Sequence, residues 1–306
     1  MPINVKKYID VDSEDTPIIR YVEKNVAEKR YGVDVTDLLG PVNANGGYDY
    51  PNGGHALDLS ALTYGVGEHA FAYKFYKSSI TGDVTINIFF ARDGSFLRAF
   101  EQSGITAFYA DRLLEIKDNK EVFWRAFQDA YRLKKVSFKN LGQVYSIDPN
   151  SNNFRNAFTN TPLEDANFES LMSIYGNYAF LETFKNTKIS KNPMPNVESI
   201  GGTFTMSGVF SQCPNIESFV FGRLKYITGA PLISAFSGDV NLRELSFPKL
   251  LAVTGNSAFM SMLSGCSNVT VHFPSNMQEV IGEWADVING FGGTNTTVLF
   301  DLPETE

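Results

Sequence analysis

The sequence predicts an α/β solenoid: a stack of about nine coils made of short parallel strands and short helical turns, preceded by a small N-terminal helical segment. Three observations predict it. Phe75, Phe100, Phe127, Phe158, Phe184, Phe210, Phe236 and Leu263 follow one another at gaps of 25, 27, 31, 26, 26, 26 and 27 residues. Four residues ahead of most of them stands a second large apolar residue (Phe71, Phe96, Phe123, Phe154, Phe180, Met206 and Phe259), which puts each pair on one face of a helical turn. Beyond the anchors, Val136/Phe138, Phe219/Phe221 and Leu245/Phe247 place apolar residues two apart, the spacing of one face of a strand.

Taken in chain order, residues 1–50 lack the repeat and read as a separate attachment or oligomerisation segment. Within it, Thr16 as N-cap, Pro17 at the first helical position, the stripe Ile18, Ile19, Val22 and Val26, and Gly32 at the far end predict an amphipathic helix. Asn- and Gly-rich residues 43–54 form a connector; without a Gly-Lys-Ser/Thr ending they are no phosphate-binding loop. The second unit, residues 51–306, is the repeat array.

Each coil is expected to run from helical turn to bend, short strand and second bend. The return bend carries Gly-x-x-Ala-Phe at Gly67, Gly176 and Gly255, with looser versions at Gly202 and Gly229, where glycine accepts a positive φ at little steric cost. Three residues after each anchor stand Ser78, Ser103, Ala130, Thr161, Thr187, Cys213, Asp239 and Cys266, a mostly small column. Cys213 and Cys266 are two coils apart, about 10 Å at ~4.8 Å per coil, beyond the ~7 Å Cα limit of a disulfide, so both are expected as free, buried thiols. The 31-residue gap before Phe158 takes up Asp148 to Asn153 as an insertion between coils, and the coil between Phe184 and Phe210 matches the pattern only at its ends. The acidic tail from Asp301 reads as a frayed end.

The sequence is similar to the BspA-like leucine-rich repeats, which couple a Leu/Ile strand motif to an Ile-Gly-x-x-Ala-Phe turn followed by a small residue or Cys. The likeness spans roughly 245 of the 306 residues, with Phe at many consensus Leu positions. It implies a leucine-rich-repeat solenoid used for recognition. It names no ligand, because a fold does not fix a function.

Composition narrows the chemistry. A chain with 43% hydrophobic and 20% charged residues folds around a core. Lys+Arg 26 against Asp+Glu 34 gives a net charge of −8, which repels a phosphate backbone, so nucleic acid is not an expected partner. Two cysteines and three scattered histidines (His55, His69 and His272) leave no metal site or cofactor to propose. The Asp10–Asp15 and Asp148–Asn153 runs begin like calcium loops but lack the glycine at position six, and read as solvated loops. No Gly-x-Ser-x-Gly elbow is present and no histidine is visibly oriented by a carboxylate, so no catalytic residue is assigned and no enzyme is expected. The N-terminus has no apolar leader core, and no run of 18 apolar residues predicts membrane insertion.

What remains is the outward column between core strand residues: Asp58, Thr85, Tyr109, Ser137, Asn167, Val220, Ser246, His272 and Leu299. From it, Tyr109, Ser137, Asn167, Ser246 and His272 are the candidate binding residues, suited to a host-surface protein or glycan. The resulting expectation is a non-catalytic recognition or structural protein: a homo-oligomeric phage virion component (tail, fibre or spike), joined to other virion proteins through its N-terminal segment. A bacterial surface adhesin, extracellular or cell-surface, is the alternative reading; a solenoid glycan-cleaving enzyme is the third.

Overall fold

A computed structural model describes residues 6–11, 17–22, 58–59, 65–78, 80–255, 257–281 and 290–304. Its architecture is a parallel β-solenoid of about eight turns, one per anchor from Phe75 to Leu263, rather than nine. One side of the stack is a five-stranded ladder of Asp58–Leu59, Thr81–Ile86, Gly104–Tyr109, Lys135–Ser137 and Asp165–Asn167, resumed farther along by the four strands Ser218–Val220, Glu244–Ser246, Thr270–Pro274 and Thr297–Leu302. A second side holds six strands, from Glu115–Lys117 to Ala252–Thr254, whose inward residues Ile116, Val144, Ile174, Ile200, Ile227 and Val253 lie in one register and are buried.

The anchors form the core. Rings 75, 100, 127, 158, 184, 210 and 236 stack at centroid distances of 4.8, 5.5, 5.4, 5.4, 5.6 and 5.3 Å, and Phe71, Phe96, Phe123, Phe154 and Phe180 form a second stack at 5.2, 4.8, 5.0 and 4.8 Å. On the strand side Phe221, Phe247, Phe273 and Phe300 continue the pattern at 4.9, 5.1 and 5.8 Å. These separations repeat the ~4.8 Å spacing of paired strands.

That spacing corrects the expected helical turns. Neighbouring α-helices pack ~8–10 Å apart, so coils this close leave no room for a helix in each. The anchor segments are instead trains of tight turns. Ala70 and Ala72 donate their N–H groups three residues back, to Gly67 and His69, at 3.3 and 3.1 Å, while Phe71 and Tyr73 donate to Ser95 and Leu97 of the next coil at 2.8 and 2.9 Å. Every fourth residue is left-handed, as at His69, Tyr73 and Lys77 (φ 53°, 59° and 52°). A four-residue turn period brings Phe71 and Phe75 to the same side, as an α-helix would, which is why their spacing could not separate the two. The α-helix described is Gln278–Ile281, a short segment following the six-stranded side.

Farther toward the N-terminus, Lys6–Val11 and Pro17–Val22 pair as an antiparallel sheet in place of the helix expected from Pro17. Ile18, Ile19, Tyr21 and Val22 are β-branched or aromatic, side chains that favour strands. The remainder of that expected helix, the 43–54 connector, most of the Asp10–Asp15 run and His55 lie outside the described residues. At the other end the structure corrects the expectation of a frayed tail from Asp301: Asp301 and Leu302 belong to the last strand.

Both cysteines are free and buried, as the register required, and the small column from Ser78 to Cys266 is buried throughout. The irregular coil is also where expected. Between Asp165–Asn167 and Ser218–Val220 no ladder strand forms among the described residues, because Pro193 and Pro195 have no N–H to donate to a ladder.

Candidate functional site

The outward column is built as the sequence indicated. Asp58, Thr85, Tyr109, Ser137 and Asn167 are successive register partners, as are Val220, Ser246, His272 and Leu299. Two-residue alternation turns Val136, Phe219 and Leu245 inward and leaves these positions on the outer face.

The five candidate residues differ in what they offer. Tyr109 and Asn167 are half-buried, and Asn167 uses its Oδ1 to accept the Glu169 N–H at 2.9 Å, closing a turn. Ser137 corrects the expectation of an accessible hydroxyl: it is only 4% exposed, and its Oγ donates to Asp111. Asp111 also accepts the Lys139 N–H, while Asn140 donates to the Asp111 carbonyl, so this serine pins a corner of the coil. Ser246 is half-buried. His272 has Nδ1 2.9 Å from Asp301 Oδ1, a carboxylate contact the sequence reading missed because it took Asp301 for part of a loose tail. Ser246 and His272 are register neighbours, yet no hydrogen bond joins them among the described residues, so the nucleophile–base contact of a triad is not made.

Beside this column lies a charged one that the sequence reading did not select. Lys135 pairs with Asp165 at 2.9 Å and Lys134 with Glu164 at 3.4 Å, each across one coil step. The Asp165 carboxylate raises the Lys135 pKa, through its hydrogen bond first and its charge second. The signal available in sequence was that Lys134–Lys135 and Glu164–Asp165 occupy equivalent places in successive repeats.

Where the ladder breaks, a cleft of about 560 Å³ opens, lined by Glu164, Asp165, Asn167, Glu169, Asn192 and Pro193 among others. Asn192 donates to the Val220 carbonyl at 2.9 Å, so its side chain spans the break. The cleft brings Asn167 together with acidic and amide groups; Tyr109 stands two ladder steps away, and Ser246 and His272 belong to the second ladder. Among the described residues no group of three or more His, Cys, Asp or Glu side chains could hold a metal ion, and no helix is long and apolar enough to cross a membrane.

Compared with curated proteins, the chain matches none. The family model described as "BspA type Leucine rich repeat region" matches it in six copies, over residues 98–229 and 203–285. These matches cover more than half of the chain, in the part where the stacked rings, the glycine bends and the parallel strands of the two sides recur from coil to coil. The chain belongs to the BspA-type leucine-rich repeat family.

Proposed function

We propose that this solenoid is a non-catalytic recognition protein that binds a host-surface protein or glycan through its outward ladder and the cleft interrupting it. The observation that carries the reading is the register itself: side chains from successive coils are held in line along one face, an extended surface of the kind repeat proteins use for binding. Polar groups dominate that face, and its Lys/Asp and Lys/Glu pairs give it alternating charge.

The setting we infer is a virion appendage, with residues 1–50 joining the solenoid to its own copies and to other virion proteins; display on a bacterial surface is the competing setting. Binding of the purified chain to intact bacterial cells tests the recognition role. Tyr109→Ala combined with Asn167→Ala should lower it without unfolding the chain, and unchanged binding would remove the ladder as the contact face. Copurification with assembled particles tests the setting.

A further inference from the structure

We propose that the turn-train side of the solenoid carries a second site, a polar pocket that binds an acidic saccharide. It goes beyond the ladder reading and uses none of the same residues. The pocket holds about 380 Å³, within the ~300–1,000 Å³ range of small-molecule sites, and its lining includes Trp124, Arg125, Gln128, Arg155, Asn156 and Lys185.

The argument starts from a column of paired side chains, three residues apart, repeated on four successive coils. Arg98 pairs with Glu101, Arg125 with Gln128, Asn156 with Thr159 and Glu182 with Lys185, with closest distances of 2.5, 2.6, 3.4 and 2.7 Å. In the first pair a carboxylate neutralises the arginine. In the second the same place is held by an amide, so the Arg125 guanidinium is oriented but keeps its charge. Arg155, the residue before Asn156 and so one place off that column, donates to Asn152 Oδ1 at 3.2 Å, its buried Nε has no partner, and it makes no ion pair among the described residues. Its guanidinium lies 5.6 Å from the Trp124 ring and 5.7 Å from the Tyr178 ring, within cation–π range of both.

Lys185 is spent on Glu182, whose carboxylate is held below its ordinary pKa, against the desolvation that would raise it, by hydrogen bonds from Lys185 and Asn156. The nearby Asp129 accepts from Asn160 and Gln128. Arg125 and Arg155 thus line the pocket without an ion pair of their own among the described residues, and the one carboxylate that lines it with them, Glu182, is held by Lys185 and Asn156 and also feels the Arg155 charge; on a chain of net charge −8 basic surplus cannot explain them. Planar guanidinium groups bind carboxylates through paired hydrogen bonds. The Gln, Asn and Thr groups around them are hydroxyl partners, and a half-buried Trp supplies an apolar edge for a sugar ring. An acidic peptide matches the charge but leaves the amide array unused.

Calorimetric titration of the full chain with trigalacturonate, maltotriose and triglutamate decides it. Trigalacturonate should bind, maltotriose should give no heat above dilution, and triglutamate should be weaker by about tenfold or more. Arg125→Gln with Arg155→Gln should abolish trigalacturonate binding. Gln128→Glu, which supplies the neutralising carboxylate without removing a packed side chain, should weaken it at least about tenfold. The Tyr109→Ala/Asn167→Ala chain should bind it unchanged, which keeps this site distinguishable from the ladder. Equal binding of trigalacturonate and maltotriose, equal binding of triglutamate, an unaffected Gln128→Glu chain, or no binding at all would overturn the proposal.

Discussion

Asp239 is the member of the small-residue column that breaks its rule. It is fully buried on the coil between those of Cys213 and Cys266, accepts the Cys213 N–H at 2.6 Å on Oδ1, and has no partner for Oδ2. Burial raises its pKa to about 8, against the backbone hydrogen bonds that lower it. An unfolded Asp titrates near ~3.9, so between that value and about 8 the folded chain binds more protons than the unfolded one. Stability is therefore greatest below the unfolded pKa, falls as pH rises through this window and stays low above it. Asp239→Asn keeps the acceptor and removes the titration; melting curves from pH 4 to 9 should show the parent losing stability while the variant loses less. Burial likewise pushes the Cys213 and Cys266 thiols up, to about 12 and about 11. Both should react with a thiol reagent at pH 8 only after unfolding, and fast labelling of the folded chain would contradict their burial.

At the scale of the element, the turn trains set apart two kinds of glycine substitution. Gln102 and Gln212 are exposed with φ of 58° and 60°, so Gly there should be neutral or stabilising and Ala destabilising, the reverse of an α-helix, where Gly costs roughly 1 kcal/mol relative to Ala. Chemical denaturation of the four variants separates a turn train from a helix. Gly255 is the opposite case: at φ 146° a Cβ would lie 2.1 Å from the Gly229 carbonyl oxygen of the adjoining coil. Gly255→Ala should cost more than about 1 kcal/mol. The ladder strands needed no such correction, although the six strands of the second side add one per coil that the expected order of helical turn, bend, strand and bend did not contain. Alternation placed Val136, Phe219, Leu245 and Val271 inward, and even the irregular coil was legible from its failure to match.

For the whole molecule, the ring stacks tie each coil to the next, so damage in mid-array is not local. Phe127→Ala and Phe210→Ala should each destabilise by about 3–5 kcal/mol, measured by denaturant titration, because each ring is buried between two others and a truncated side chain leaves a void. If residues 1–50 carry the self-association we propose, a chain lacking them should sediment as a monomer at concentrations where the full chain does not.

Periodicity by itself determined that the chain stacks, about how long each coil is, which residues face inward, which stand in line on the ladder, and that the cysteines stay apart; all of these follow from side-chain spacing along one strand of sequence. Tertiary structure decided the rest. Turns rather than helices join the strands because coils held ~4.8 Å apart by parallel pairing exclude helices that need ~8–10 Å, a limit imposed by neighbours and not by any coil's own residues. For the same reason the burial of Ser137, the His272–Asp301 contact and the unneutralised Arg125 and Arg155 emerged only in three dimensions: each depends on what the adjoining coil presents, a full repeat away in the chain.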